Sequence, residues 1–414
     1  MSQTPQPRTP IDTLFAEAGR GMELPIRTAN PPLVRASTVL FDSLEQAAAT
    51  GRRTAVGARH ASTYGTVGTQ TTFALMDALA AIEGEGHACR AALMPSGLAA
   101  ISTALLGFLQ PGDHMLMTDS VYGPARVFAQ GMLAKLGVQT TFFDPGIDAE
   151  GLAGLIRPET KVLYLESPGS YTFELQDVPA LAALARSRGI VSMIDNAWAS
   201  PVFARPFDWG IDISILPLTK YWSGHADLLM GAVVAREEVW GRLWEAVRQL
   251  GMCVGGDDAW LVLRGLRTVG VRMRAHQASG LAVASWLESR PEVARVLHPG
   301  LPGHPGHDLW QRDFTGASGL FAFELDAAPF AGAAGAERRR RALAALCEGR
   351  RLFGIGYSWG GFESLIMPAA IDHLRTAWPW QGGPLVRLHC GLADASDLIA
   401  DLDEGFAAMA KALG

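Results

Sequence analysis

The sequence of 414 residues has few cysteines, little net charge and no long apolar run. None of its four cysteines belongs to a CxxC or CxxH pair, so neither a zinc site nor a disulfide framework is expected. A formal net charge of -6 argues against a nucleic-acid partner, which would favour a basic face. No apolar run approaches the ~20 residues of a membrane span, and the N-terminal MSQTPQPRTP lacks the apolar core of a signal peptide. These absences predict a cytoplasmic protein with neither a membrane nor a nucleic acid as partner.

Three segments of different composition follow one another along the chain. Residues 1–70 are irregular and rich in proline, which is typical of a flexible tail or of an arm that packs on another subunit. Residues 71–267 alternate short apolar runs with helical periods, and residues 268–414 change to long helices with a few strands. We therefore expect an N-terminal arm, a large α/β domain and a smaller α+β C-terminal domain.

The large domain has the clearest pattern of secondary structure. A helix is predicted from position 70 to the glycine at position 84, and short strands then alternate with helices. Strands are expected at 91–94, 113–118, 138–143, 162–165, 190–194 and 211–216, and helices at 96–109, 122–136 and 178–188. Apolar strands joined by helices indicate a parallel sheet that is covered on both faces. Nearer the C-terminus the pattern predicts helices at 271–290 and 395–413, with strands at 319–325 and 385–390.

Two strands of the predicted sheet run directly into residues with reactive side chains. Asp195 follows the strand at 190–194, and Lys220 follows the strand at 211–216. Ligands of open α/β sheets bind beyond the carboxyl ends of the strands, so both side chains can meet over one ligand. Pyridoxal 5'-phosphate (PLP) needs such a pair, because a lysine forms its Schiff base and an aspartate keeps its pyridine nitrogen protonated. Either residue alone is more often a cap or a surface charge; the pairing favours a PLP site.

A third element is suited to the phosphate of that cofactor. The segment MPSGLAA has the pattern of a strand end, a tight turn and a helix start. The first amides of this helix, at Gly97 and Leu98, have no carbonyl one turn earlier to donate to, and they lie at the positive end of the helix dipole. Ser96 and Thr219 are candidate hydroxyl donors to the same phosphate.

Two more residues are candidates for the cofactor ring and for a substrate carboxylate. Tyr122 follows the strand at 113–118 and can stack on a flat pyridine, although a tyrosine packed in the core is otherwise commoner. Arg387 lies in an apolar strand, where a buried arginine needs an anion. A substrate carboxylate suits it, and an internal ion pair with an aspartate or glutamate is an equal alternative. The ten histidines show no HxH or HExxH spacing, so no metal is assigned.

A dense, collinear series of motifs spans the chain from about Val34 to the C-terminus. It comprises YGTVGTQTTFAL, PSGLAA, DHMLMTDSVYGPAR, YLESPGS, IDNAWAS, LTKYWSGHAD, LRGLRTVGVRMRAH, the segment 298–321, YSWGGFESL and VRLHCGLAD. Together these motifs resemble the cysteine and methionine metabolism family of PLP-dependent enzymes, and most closely its bacterial cystathionine β-lyases. LESPGS and YSWGGFESL are the specific ones.

The resemblance implies fold type I of the PLP enzymes, with a mainly parallel sheet of the seven-stranded type, a C-terminal α+β domain and an N-terminal arm. It implies that PLP is bound by Lys220, Asp195, Tyr122, Ser96, Gly97, Leu98, Thr219 and Tyr64. Catalysis would fall to Lys220, Tyr122 and Tyr64, with Lys220 as both Schiff-base lysine and general acid/base. The substrate would be bound by Arg387, Ser358, Trp359 and Tyr64. Tyr64 would reach into the site of a neighbouring subunit, within a homotetramer built as a dimer of dimers.

The activity that the resemblance implies is β-elimination at a carbon–sulfur bond. L-cystathionine, or a related L-cysteine S-conjugate, would give a thiol (homocysteine), pyruvate and ammonia. A γ-lyase or γ-synthase of the same family, a specialised lyase or racemase of secondary metabolism, and a weakly catalytic binding paralogue remain as alternatives.

The arm departs from the family pattern at one position. The family has Tyr-x-Arg, whose arginine grips the phosphate of the adjacent subunit, but here Tyr64 is followed by a glycine and Thr66. Loss of such a charge-assisted contact costs about 1.5–3 kcal/mol. Arg59 or Arg53 could substitute, cofactor affinity could be lower, or the site could serve a different substrate. Pro217, where many relatives carry serine, removes another hydroxyl near the phosphate.

Overall fold

The structure is a computed structural model that describes residues 8–21 and 28–413. Its large domain is built on β1 (Cys89–Met94), β2 (His114–Thr118), β3 (Gln139–Phe143), β4 (Thr160–Glu166), β5 (Val191–Asp195), β6 (Ile213–Leu216) and β7 (Gly231–Arg236). These strands form one sheet in the order β1-β7-β6-β5-β4-β2-β3. Only β7 runs antiparallel to its neighbours. The predicted α/β fold with a mainly parallel sheet is confirmed.

Strand β7 is absent from the sequence-based prediction. Its run GAVVAR follows β6 after an irregular loop that carries Lys220, with no helix between the two strands. The alternation of strand and helix therefore breaks here, and a short apolar run without that context gives no clear signal. The antiparallel return keeps both ends of this loop within the same sheet.

The helices of the first 267 residues are α1 (Ile11–Glu17), α2 (Leu44–Ala55), α3 (Gln70–Glu83), α4 (Gly97–Phe108), α5 (Gly123–Phe128), α6 (Ala149–Ala153), α7 (Val178–Ser187), α8 (Ser200–Phe203), α9 (Glu237–Gln249) and α10 (Gly256–Leu266). The single helix expected at 122–136 is interrupted, because α5 passes into a π-helical turn at Ala129–Leu133. Ala125, Ala129 and Leu133 are all buried. Their four-residue spacing exceeds the α-helical period, and the wider turn keeps them on one face.

The arm is less irregular than expected. It contains α1 and α2, and Phe15 of α1 is 1% exposed and packs edge-on against Trp222 of the same chain. The indole of Trp244 donates to the carbonyl of Thr54 at 2.8 Å. Much of the arm is therefore packed against its own chain and is more regular than its composition predicts. Its residues 1–7 and 22–27 lie outside the described residues.

The C-terminal part contains a second sheet. Its helices are α11 (Val269–Glu288), α12 (His307–Asp313), α13 (Gly335–Cys347) and α14 (Ala395–Leu413), and its strands are β8 (Val293–Leu297), β9 (Leu320–Leu325), β10 (Phe353–Ile355), β11 (Ser364–Ala369) and β12 (Leu385–His389). The strands are ordered β10-β11-β12-β9-β8, and only β10 and β11 pair in parallel. This antiparallel sheet presents β12, and with it Arg387, toward the large domain.

Apolar side chains cover both faces of the seven-stranded sheet. Leu93 and Val234 belong to one core cluster, whereas their neighbours Ala92 and Val233 belong to the cluster on the opposite face. Strands buried on both faces leave only their ends for polar chemistry, so the carboxyl edge is where the site must form. Among the described residues, no helix has both the length and the apolar character needed to cross a membrane.

Candidate active site

A cavity of about 210 Å³ lies at the carboxyl edge of the seven-stranded sheet. The predicted residues that line it are Ser96, Gly97, Leu98, Tyr122, Asp195, Thr219, Lys220 and Trp359. A smaller cavity of about 50 Å³ shares part of this lining and adds Arg387. The structure thus brings together the residues predicted for the cofactor and for the substrate carboxylate, with the exception of Tyr64.

Lys220 lies in the turn after β6 and points into the larger cavity. Its Nζ donates to Ser358 Oγ at 2.5 Å and lies 5.2 Å from the centre of the Trp359 ring. Burial, helped by the positive charge of Arg387, lowers the pKa of Lys220 to about 8, while Asp195 opposes the shift. An amine with this pKa exists partly unprotonated near neutrality, which a nucleophile and general base requires.

The turn that carries Ser358 is held close to the lysine. Gly360 has φ +88°, and a Cβ at this position would lie 3.1 Å from the Cα of Lys220. Ser358 itself has φ +80°, which costs a non-glycine residue about 1–3 kcal/mol. The Gly360 amide donates to Nε2 of His389 at 3.0 Å, and burial lowers the pKa of that histidine to about 3, so the ring stays neutral and can accept. The double glycine of YSWGG therefore has a structural cause.

Asp195 ends β5 and is joined at the cavity floor by Glu166, which ends β4. Glu166 was missed by the sequence-based prediction, although it ends an apolar strand as Asp195 does. It accepts from the Tyr122 amide and from Ser170 Oγ, both at 2.6 Å. Burial, and then the charge of Asp195, raise the pKa of Glu166 to about 8. Burial also raises the pKa of Asp195, to about 7, and the Ala197 amide and the charge of Lys220 oppose this shift. The geometry therefore favours a proton on Glu166 and a negative charge on Asp195.

The other end of the cavity is formed by the start of α4. Ser96 caps this helix by accepting from the Ala99 amide at 3.1 Å, which leaves its own hydroxyl hydrogen available to an anion. The hydroxyl of Thr219 instead donates to the Met230 carbonyl at 3.2 Å, so it must turn to contact a phosphate. Pro217 offers no hydroxyl on the facing wall. The helix amides are thus the main anion donors of this end.

The aromatic wall of the cavity includes Tyr122, which is 41% exposed. Its backbone amide is held by the Glu166 carboxyl group, and burial raises the pKa of its phenol, so the phenol stays neutral.

Arg387 lies in the adjoining cavity, where its Nη2 donates to the Ser358 carbonyl at 3.2 Å. Among the described residues no carboxylate forms an ion pair with Arg387, so the alternative of an internal salt bridge is not what the structure shows. A partly buried cation of this kind suits a ligand carboxylate.

Tyr64 lies away from both cavities of its own chain. Its side chain is 50% exposed, and its backbone is held by an isolated bridge to Thr38. Together with Thr66 it borders a cleft of about 750 Å³ between the arm and α9. A role at a PLP site therefore requires the site of another subunit, as the resemblance implied.

The residues present fit PLP. A helix start supplies amides at one end of the cavity, carboxyl groups supply a negative charge at the other end, and a lysine stands between them. The backbone segments around the helix start are packed closely against each other. A Cβ on Gly97 would lie 3.0 Å from the Pro217 side chain, and one on Gly231 would lie 2.3 Å from the Ser96 carbonyl. Among the described residues, no cluster of histidine, cysteine or acidic side chains could hold a metal ion.

The chain is similar to known proteins over nearly its whole length. Residues 12–407 match the family described as Cys/Met metabolism PLP-dependent enzyme. A cystathionine beta-lyase of Escherichia coli is 44% identical over 96% of this chain and 98% of the relative. An L-alanine/L-glutamate racemase of Wolbachia pipientis is 37% identical over 96% of each chain. The crystal structure of a cystathionine gamma synthase from Xanthomonas oryzae has a TM-score of 0.85 at 30% identity and covers 99% of this chain and 100% of its own. The chain therefore belongs to the Cys/Met metabolism family of PLP-dependent enzymes, and its cofactor is pyridoxal 5'-phosphate.

Proposed function

We propose that this enzyme is a carbon–sulfur β-lyase that cleaves L-cystathionine, or a related L-cysteine S-conjugate, to a thiol, pyruvate and ammonia. The observation that carries the proposal is the shared lining of two cavities, one with the amine of Lys220 and the other with the guanidinium of Arg387. This arrangement presents a base and a carboxylate anchor to the same amino acid. The high identity to a cystathionine beta-lyase supports the choice of a sulfur leaving group.

The chain's own residues divide the work between proton transfer and orientation. When bound, PLP supplies an electron sink for the α-carbon of the amino acid. Lys220, with its pKa lowered to about 8, accepts the α-proton as a free amine and afterwards returns a proton to the departing sulfur. Asp195 holds a negative charge at the cavity floor. A pyridine nitrogen beside this charge would stay protonated.

Arg387 binds the α-carboxylate in this proposal, and the turn at Ser358 aligns the lysine with it. Ser358 accepts from Lys220 through its hydroxyl and from Arg387 through its carbonyl. One residue thus sets the distance between the base and the carboxylate anchor, while Trp359 covers the lysine. The positions of Gly97, Leu98, Ser96 and Thr219 support a role as phosphate contacts.

A shared site between subunits is part of the proposal. The exposed Tyr64, outside both cavities of its own chain, supports a role in the active site of a partner, and a homotetramer would provide that partner. We further propose a cytoplasmic location. Size-exclusion chromatography with light scattering tests the assembly, and fractionation of the producing cells tests the location.

The direct test measures cofactor absorbance and keto-acid products in the same preparations. The unmodified enzyme is expected to show the PLP–lysine absorbance band and to release pyruvate from L-cystathionine. Lys220→Ala should lose both signals, because the amine that binds the aldehyde and moves the proton is gone. Lys135→Ala, which changes an exposed lysine, is the matched control and should retain both.

Two other products separate the alternatives. Release of 2-oxobutyrate in place of pyruvate would indicate γ-elimination, an outcome that Gly123, where methionine γ-lyases tend to carry cysteine, disfavours. Formation of D-alanine from L-alanine without keto acid would indicate a racemase, which the Wolbachia relative makes a specific second candidate. Either result with no pyruvate contradicts the β-lyase proposal.

A further inference from the structure

The loop at 375–378 of the C-terminal part is bound to the carboxyl end of β2. Asp119, one residue past β2, is fully buried. Its carboxylate accepts from the amides of Thr376, Ala377 and Trp378 at 2.9–3.0 Å. It also accepts from the Thr376 hydroxyl at 3.1 Å and forms an ion pair with Arg126. The loop is therefore fixed at the same sheet edge as the active site.

Arg375 extends from this loop toward the substrate cavity. Its side chain is buried, and its Nη2 donates to the Ser170 carbonyl at 2.8 Å and to the Thr172 hydroxyl at 2.6 Å. Its Nη1 donates to the Asp119 carbonyl. Thr172 in turn donates to Glu174 at 2.7 Å, and the charge of Arg375 partly offsets the effect of burial on the pKa of Glu174. The guanidinium thus binds a wall segment at 170–172 to the end of β2.

The segment held by Arg375 lines the substrate cavity in an unfavourable backbone conformation. Tyr171 has φ +69° and Phe173 has φ +57°, which are left-handed angles that strain a residue with a side chain. Such angles persist only where the surroundings impose them. Ser170, Tyr171 and Phe173 all line the cavity, and the Tyr171 ring lies 5.7 Å from the guanidinium of Arg387.

We propose that Arg375 is a positioning residue that holds the cavity wall at 170–173 against Arg387 and so sets how the site grips an amino acid. The inference rests on the proposed role of Arg387 as the carboxylate anchor. Without the two hydrogen bonds of Arg375, the turn relaxes toward ordinary φ angles, Tyr171 moves away from Arg387, and the cavity loosens. The cofactor end of the site, formed by α4 and Lys220, does not touch Arg375 and keeps its geometry.

The test compares holoenzyme variants by three measurements: the dissociation constant of L-alanine from the change in cofactor absorbance, KM and kcat for pyruvate release, and the melting temperature. Arg375→Ala should raise the dissociation constant of L-alanine and KM by about tenfold, with PLP affinity unchanged. Thr172→Val keeps the shape of its side chain but loses the hydroxyl, and should shift the same two quantities in the same direction. The double variant should add little to Arg375→Ala, because the Arg375–Thr172 contact that Thr172→Val removes is already lost in Arg375→Ala.

Arg350→Ala is the matched control. Arg350 is another largely buried arginine of the C-terminal part that donates to a backbone carbonyl, that of Asp401 at 3.1 Å, remote from both cavities. It should lower the melting temperature without changing L-alanine affinity. The proposal is overturned if Arg375→Ala behaves like this control, or, should Arg375→Ala not fold, if Thr172→Val leaves L-alanine affinity at the unmodified value. Binding of L-alanine is independent of pyruvate release, so failure of the β-lyase proposal would be recognised separately.

Discussion

Glu166 and Asp195 are register partners at the ends of β4 and β5, so two buried carboxyl groups stand side by side beneath the cavity. Two such groups cannot both ionise cheaply in a site of low polarity. The charge of Lys220 favours the ionised form of Asp195, and burial together with the charge of Asp195 raises the pKa of Glu166, so the two roles separate accordingly. Glu166 is the neutral member that fixes the Tyr122 backbone, and Asp195 is the charged member, which we propose pairs with the cofactor.

Substitutions at Glu166 should therefore depend on hydrogen bonding more than on charge. Glu166→Gln keeps an acceptor for the Tyr122 amide and a polar group beside Ser170, whose hydroxyl can turn to accept from the new amide group. Glu166→Ala leaves the Tyr122 amide and the Ser170 hydroxyl without this acceptor. We expect PLP to bind about ten times more weakly, since an unpaired buried donor costs about 1–3 kcal/mol. Titration of apoenzyme with PLP gives both constants. Equal weakening in the two variants would show that charge decides, contrary to the assignment.

The pKa of Lys220 can be moved through Arg387. Burial and the charge of Arg387 hold this pKa at about 8, below its ordinary 10.5, so the amine should add to PLP faster as pH rises and reach a plateau above pH 8. Arg387→Met removes a positive charge and should shift the midpoint of this profile to higher pH. Arg387→Lys retains the charge and should leave the midpoint nearly in place while weakening carboxylate binding. Stopped-flow absorbance of apoenzyme mixed with PLP gives the profile; a midpoint unchanged in Arg387→Met contradicts this account.

Another buried carboxyl, that of Glu83, should make the stability of the protein depend on pH. Glu83 accepts from Ser214 at 2.6 Å and from Asn196 at 2.9 Å, and burial raises its pKa from 4.5 to about 7. The folded protein therefore holds this proton more tightly than the unfolded chain. The resulting stabilisation is complete below pH 4.5 and is lost as pH rises to about 7.

Glu83→Gln removes the titration but keeps an acceptor for both partners. The difference in free energy of unfolding, variant minus unmodified protein, should therefore increase by on the order of 2–3 kcal/mol from pH 5 to pH 8. Urea denaturation at several pH values measures this difference. Glu245→Gln, on the exposed face of α9, is the control and should show no such trend. A difference that is constant with pH would mean that Glu83 is ionised throughout.

Residues that end apolar strands were the ones that sequence alone could place. Asp195 and Lys220 follow this rule, because parallel strands bring their carboxyl ends to one edge. Glu166 also ends an apolar strand, but the sequence-based prediction did not include it. Arg387 lies on a different sheet from Lys220. Its proximity to Lys220 could therefore be predicted from the resemblance and not from periodicity. Arg375 lies in a loop between β11 and β12, where no local pattern announces that its partners are far along the chain.

The arm contains helices that the local sequence did not predict. Proline and glycine suggested an irregular segment, yet α1 and α2 form because partners distant in sequence bury them. Helix α1 is stabilised by the contact of Phe15 with Trp222, and no window of local sequence contains both residues. Helices this short owe their stability to tertiary packing more than to propensity.

The position of Thr66 leads to a gain-of-affinity prediction. The two arginines that could have replaced the family arginine are engaged within their own subunit: Arg59 lies 3.4 Å from Asp77, and Arg53 donates to the Arg59 carbonyl at 3.1 Å. Thr66 is exposed beside the cleft that Tyr64 borders. If the arm reaches a partner's phosphate, Thr66→Arg restores the charge-assisted contact and should lower the PLP dissociation constant by about 10- to 100-fold. Thr63→Arg adds the same charge to the same arm outside the family motif and is the control. Equal affinities in the two variants, measured by PLP titration of the apoenzymes, would exclude a phosphate contact from position 66.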